Sequence, residues 1–151
     1  MNELEYAGFW IRVGATLIDT MIMMIVLMVP LSIIYGEQYW LGGEYIHGFW
    51  DVLLGYVVPV VATIWFWLRF MATPGKMALK LKIVDAKTGN KLSTGQAIGR
   101  YFAYLVSMLP LGLGFIWIGI DSKKQGWHDK LAGSVVVKSN SSVPVTFKPQ
   151  E

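Results

Sequence analysis

Cysteine is absent from all 151 residues, so disulfides and thiolate metal sites are excluded. Charge is scarce as well. Asp, Glu, Lys and Arg make up 15% of the chain and apolar residues 54%, whereas a soluble domain carries about 25% charged residues. A soluble domain of this length needs more polar surface than that to cover a core. Also missing are a nucleophile elbow, an HExxH pair, a dinucleotide-binding fingerprint and the kinase motifs. The expectation is therefore no enzymatic activity and no cofactor. The two histidines, His47 and His128, stand without cysteine partners and make a weak metal case, so no metal site is expected. Basic residues lack the interleaved aromatics that nucleic acid would call for. No internal repeat is visible. Before the first apolar run stand Glu3 and Glu5 with no Lys, unlike a cleaved leader, so that run is expected to stay as an anchor.

What the chain does have is long apolar runs, and spanning a bilayer takes about 20 predominantly apolar residues. Val13 to Tyr35 contains one charge, Asp19, while Val52 to Leu68 and Tyr101 to Ile120 contain none. The segment 36–51 between the first two runs holds Glu37, Glu44 and Asp51 and no Lys or Arg. By contrast, segment 71–96 holds Lys76, Lys80, Lys82, Lys87 and Lys91 against Asp85. Lys and Arg mark the cytoplasmic side, which places 71–96 and the N-terminus inside and 36–51 outside. Phe9 and Trp10 at one boundary, and Tyr39, Trp40, Phe49 and Trp50 at the other, match interfacial belts.

The third run is interrupted by Pro110, Gly112 and Gly114. A full span there would export the lysines that follow it. Its halves are about ten residues, or ~15 Å each, which suits a re-entrant hairpin; a single kinked span is the alternative. Lys80 to Val84 alternates like a strand, Asp85 to Asn90 reads as a turn, and Ser93 with Gln96 makes a capping box that opens a helix. Ser134 to Lys138 is a second strand candidate, free to pair with the first if the run is re-entrant. The fold class expected is an all-α membrane protein, with two transmembrane helices, a discontinuous or re-entrant third segment and a small cytoplasmic β element. Residues 1–138 form one membrane domain, and 139–151, with Pro144 and Pro149, are expected to be a disordered tail.

Arg12 and Asp19 are two helical turns apart on one face, with Thr16 between them. Asp19 lies ~15 Å beyond Phe9 and is expected near the bilayer midplane. An ionisable group there is costly and marks a functional candidate. It requires a partner on another helix, a bound cation, a proton or water. The alternative is an interhelical polar lock. Arg12 reads as a snorkelling anchor at the interface. Arg69 and Arg100, at the inner boundary, read as anchors to anionic headgroups, with pairing to Asp19 or Asp129 as the alternative. Thr73-Pro-Gly-Lys76 reads as a structural turn, because the spacing of a P-loop is missing. His128 and Asp129 suit a base pair, a ligand pair or a cap. Sequence neighbours do not face one another on a helix, so Asp129 reads as an N-cap or salt-bridge partner. His47 reads as incidental, and Met21, Met23, Met24 and Met28 as packing filler.

Gly8-Phe-Trp-Ile-Arg12, then Asp19, Thr73-Pro-Gly-Lys76, Lys82-Ile-Val-Asp85, Gly99-Arg100 and Gln125-Gly-Trp-His-Asp129 before Ala132-Gly133 together resemble the RDD family of prokaryotic membrane proteins. The likeness runs from Tyr6 to about Lys138. It implies a functional Arg and two Asp, here Arg12, Asp19 and either Asp129 or Asp85. Transport of ions or small ligands has been proposed for that family from its buried charges. The functional expectation is a small transporter-like protein of a prokaryotic inner membrane, moving a cation or proton with Asp19 as carrier. A non-transporting accessory or scaffold subunit is the alternative. Expected partners are anionic headgroups at the cytoplasmic face and a second copy of the chain, since two spans offer few surfaces to hide Asp19, with Gly8, Ala15 and Thr16 as the small-residue contact.

Overall fold

Two prolines shape the long helices. The computed structural model describes residues 5–138, so the tail expected from Ser139 lies outside the described residues. Helix α1 (Phe9–Tyr35) is 27 residues long, ~40 Å at 1.5 Å per residue. Its Pro30 cannot donate to the carbonyl four residues earlier and crowds it. The strain is relieved by one wide π turn just upstream, Met24–Met28. The same solution recurs in α3, which runs from 49 to 70. There a π turn at Leu53–Val57 precedes Pro59. Between them lies the short α2 (Gln38–Leu41).

Met71 ends α3 in a left-handed conformation, φ 58°. A one-turn helix α4 (Pro74–Ala78) leads into β1 (Leu81–Asp85). Ser93 caps α5 (Thr94–Met108): its hydroxyl accepts from the Gln96 N–H while the Gln96 side chain accepts from the Ser93 N–H, the reciprocal box read from the sequence. A reversal with Leu111 (φ 55°) and Gly112 (φ 76°) follows. After it, α6 (Leu113–Ile116) and a 3-10 turn, Trp117–Gly119, run back at 108° to α5. Gly114 permits the close return, since a Cβ there would lie 2.5 Å from Ser107 Cα. Helix α7 (Trp127–Ala132) and β2 (Ser134–Lys138) complete the described chain.

The third apolar run is therefore broken, and the segments on either side of it come back to one place. β1 and β2 pair antiparallel with Ile83 opposite Val136. Gln96 Nε2 reaches both Asp85 Oδ2 (2.6 Å) and the Ala132 carbonyl (3.2 Å), tying the segment before the run to the segment after it. Residues 5–7 lie along β2: Ala7 N–H donates to the Val136 carbonyl (2.9 Å) and Lys138 N–H to the Glu5 carbonyl (2.8 Å). Both sheet faces are covered. Leu81, Ile83 and Val136 pack on Trp67, Ala15 and Ala97, while Val84, Val135 and Val137 pack on Tyr6 and Met71. This accounts for the unbroken apolar run in β2.

Away from the sheet the picture inverts. Of the most apolar window of each long helix only 11% is buried, and Met21, Ile25, Ile33, Val57 and Val61 all stand exposed. A monomer in water does not keep so large an apolar surface uncovered. Two helices are thus long and apolar enough to cross a membrane, beside a small two-stranded sheet.

Candidate functional site

The buried charges converge where α1, α5 and α7 meet beneath the sheet. Asp129 sits three residues into α7, where its carboxylate accepts from the Gly126 N–H (2.9 Å), and it is fully buried. Arg12 Nη1 donates to Asp129 Oδ2 at 2.6 Å, and Arg100 Nη1 donates to Oδ1. Arg12 also donates through Nε to the Ala7 carbonyl (2.9 Å) and through Nη2 to the Lys124 carbonyl. Arg100 also donates to Ser134 Oγ, and its guanidinium lies 5.4 Å from the Trp67 ring centre and 5.6 Å from that of Tyr104. One carboxylate thus joins segments 117 and 29 residues away. Burial by itself pushes the Asp129 carboxyl up. The guanidinium of Arg100, then that of Arg12, outweigh it and hold the group well below the usual carboxylate range.

His128 lies beside this pair, 2% exposed, between the rings of Tyr104 (4.5 Å) and Phe115 (5.0 Å). Its Nδ1 is 3.2 Å from Ser107 Oγ and its Nε2 is 3.5 Å from Asp129 Oδ2. A neutral ring protonated on Nε2 satisfies both contacts, with the Ser107 hydroxyl donating to Nδ1. Burial drives the His128 pKa down to about 3; Asp129 opposes the shift, and Arg100, Arg12 and Lys76 add to it. Ser107, His128 and Asp129 stand in hydrogen-bonding order. However, a ring that stays neutral down to pH 3 is a poor proton acceptor at neutral pH, and the Ser107 hydroxyl is sealed at 0% exposure. The arrangement is suited to holding helices together.

Asp19 stands apart from that cluster. Its Oδ2 accepts from Thr73 Oγ1 (2.5 Å) and its Oδ1 from the Gly75 N–H (2.7 Å). Gly75 is required here, because a Cβ would lie 2.0 Å from the Ala15 carbonyl oxygen. Thr73-Pro-Gly-Lys76 is therefore the seat of a helix-to-helix contact as well as a turn.

Several expectations change with this geometry. Arg12 and Arg100 are 7% and 1% exposed and share one carboxylate, so for Arg100 the structure has the alternative reading, pairing with Asp129. Asp19 has a partner on another helix, one of the alternatives expected for it, at Thr73 and Gly75. It lies level with the segment just past the end of α3, and its own chain supplies its partners. The small residue Ala15 makes its close contact with Gly75 inside the chain. His128 and Asp129 do approach, because their side chains lean toward one another off the first turn of α7. His47 is packed against Tyr35 and Tyr39, and its N–H donates to the buried Asp51 (3.0 Å). Asp85 receives the Lys87 and Thr88 N–H groups and Gln96 Nε2, shaping the turn after β1. Thr16 is exposed along a cavity described below, and Arg69 is exposed over the Phe70 ring (5.6 Å).

Sequence reasoning passed over Ser107, and it read Ser134 and Lys76 only as parts of a strand and a turn. A signal existed for the first: Arg100, Tyr104 and Ser107 fall at i, i+4 and i+7, a polar stripe on an apolar helix.

A cavity of about 710 Å³ opens between α1, α3 and α5. Its polar lining includes Arg12, Asp19, Thr73, Lys76, Arg100 and His128, and the rest is largely aliphatic and aromatic.

A family model described as "RDD family" matches residues 6–133. The chain belongs to the RDD family. Among RDD-type relatives, the uncharacterized protein YxaI of Bacillus subtilis (strain 168) is 34% identical over 87% of this chain and 96% of its own length. The uncharacterized protein YckC of the same organism is 32% identical over 90% and 87%. The uncharacterized protein RP437 of Rickettsia prowazekii (strain Madrid E) is 46% identical over 49% of this chain, a match spanning only 40% of that relative. No solved structure matches this RDD chain.

Proposed function

We propose that this chain is a multi-pass protein of a prokaryotic inner membrane that binds a ligand between its helices, without enzymatic chemistry. In this reading α1 and α3 cross the bilayer, and α5 with α6 forms a re-entrant hairpin. The return of both ends of that hairpin to one sheet supports re-entry. Lys76, Lys80, Lys82, Lys87 and Lys91 then lie with the N-terminus and the sheet on the cytoplasmic side. Segment 36–48 lies outside.

The observation that carries the binding role is the cavity of about 710 Å³ among α1, α3 and α5. Ligand pockets are of this size, apolar with a few placed polar groups. A subunit that only scaffolds a partner has no need to hold three helices apart over a charged floor. Native mass spectrometry of protein released in mild detergent tests the role against cavity-filling Ala62→Trp and Thr63→Trp variants. Wild type is expected to retain a non-protein mass that both variants lose. Bare protein from several detergents would favour the accessory-subunit reading.

Carriage of a cation or proton by Asp19 is the narrower alternative. Both carboxylate oxygens are already engaged within the chain, and Arg12, Lys76 and Arg100 line the same space, which opposes a cation. Liposomes under proton and monovalent-cation gradients separate the two readings. The alternative requires flux that Asp19→Asn abolishes; the binding role expects none.

A further inference from the structure

The cavity is chemically two-ended. Its charged floor is Arg12, Lys76 and Arg100, with neutral His128 beside them and Asp19 as the one carboxylate on the lining. Asp129 behind the floor engages Arg12 and Arg100 together, and both oxygens of Asp19 face Thr73 and Gly75. Lys76 is left over. It is 7% exposed, lines the cavity, and has no hydrogen-bond or ion-pair partner among the described residues. An unpaired ammonium on the wall of a largely apolar cavity attracts an anion.

From that floor the walls run in one direction. On α1, lining residues extend from Arg12 to Leu27, on α3 from Trp67 to Val58, and on α5 from Arg100 to Met108. At 1.5 Å per residue these walls are ~22, ~14 and ~12 Å long, comparable to half of a ~30 Å hydrocarbon core. Beyond the floor they are mainly Ile, Met, Val, Leu and Phe. Three apolar walls rising about one leaflet's depth from a surplus cation fit a molecule with one anionic end and one hydrocarbon end. A small inorganic anion would leave the apolar volume unused.

We infer that the cavity holds one anionic phospholipid of the bilayer, its phosphate at Lys76 and its acyl chains along α1, α3 and α5. This rests on the binding role proposed above and names its ligand class. The chain would then act on the membrane by taking a single lipid out of the leaflet into a protein-walled seat.

The test uses the full chain, delipidated in detergent and titrated with phosphatidylglycerol, phosphatidylcholine or glycerol phosphate, with native mass spectrometry counting bound molecules. One phosphatidylglycerol per chain is expected, at least tenfold tighter than phosphatidylcholine, with no competition from glycerol phosphate. Lys76→Met should erase that preference, Lys76→Arg should keep it, and Lys87→Met, on the exposed turn, should leave it unchanged. Equal binding of both lipids that Thr63→Trp still blocks would overturn the anionic assignment and leave the cavity role standing. Competition by glycerol phosphate would make the ligand a soluble anion and sink the lipid. Binding insensitive to Thr63→Trp, or none, would sink both. Thermal unfolding of each variant separates lost binding from lost fold, and Lys76→Arg decides if Lys76→Met fails to fold.

Discussion

Each end of the helix pair buries an aspartate, and the two are held in different ways. At the sheet end, Asp129 is gripped by two guanidiniums from segments 117 and 29 residues distant. At the far end, Asp51 is 4% exposed and receives the His47 N–H (3.0 Å) and the Tyr39 hydroxyl (3.2 Å), while its own N–H donates to the Tyr35 hydroxyl (3.2 Å). All of those partners lie within 16 residues of it. Long-range ionic closure fixes which helices touch; short-range hydrogen bonds from uncharged donors fix the path of one loop. The first is costly to break and the second cheap.

That contrast can be broken by measurement. Asp129→Asn leaves two buried cations without their counter-charge and should cost about 3–5 kcal/mol, read as loss of monodisperse protein in mild detergent. Acid should come next. The folded pKa of His128, about 3, lies below its ordinary value of 6.5. Its neutral burial therefore contributes fully above pH 6.5, and stability is lost progressively as the unfolded chain takes up the proton on the way down to 3. Asp129, also depressed, adds its own loss only below the ordinary carboxylate range near pH 4. Thermal stability should fall between pH 6.5 and 4.5, and His128→Gln should flatten that slope. A slope unchanged in the variant would take His128 out of the account.

Smaller effects sharpen the comparison. Gly114→Ala presses a methyl group on Ser107 and should cost about 1–3 kcal/mol as overpacking, visible as a lower melting temperature. Asp51→Asn keeps one acceptor and should cost about 1–2 kcal/mol. His47→Ala should cost about 1 kcal/mol, because the backbone N–H bond to Asp51 survives while the ring's 3.5 Å approach to that carboxylate and its packing on Tyr35 and Tyr39 are lost. If Asp51→Asn proved as damaging as Asp129→Asn, the distinction between closure and loop would collapse.

Much of the architecture was legible in the residues. The apolar runs, the Ser93–Gln96 cap, both strands and the break at Pro110 are local patterns, and local physics decides them. The wiring of the charges was harder to read. The spacing of Arg12 and Asp19 correctly places them on one face, yet their side chains serve different partners: α7 crosses near the first and α4 near the second. Arg100 at a run boundary resembles a headgroup anchor until the hairpin folds α7 over it. The pairing of Asp19 with Gly75 depends on a backbone approach that no side chain announces, and a cavity is a property of three helices at once. Only the absent Cβ at position 75 and the Arg100-Tyr104-Ser107 stripe leave a trace in the sequence.

The placement of Asp129 has a consequence for how the molecule is made. Synthesis runs from the N-terminus, so α1 and α3 are complete long before α7 and β2 leave the ribosome. Arg12 must wait for a residue 117 positions later, and Leu81 for Lys138. Until the last stretch arrives, two guanidiniums and one strand edge stand open. The C-terminal quarter is thus the latch of the fold. A ribosome stalled before position 129 would hold two long apolar helices with nothing to fasten them, a species for quality control to find.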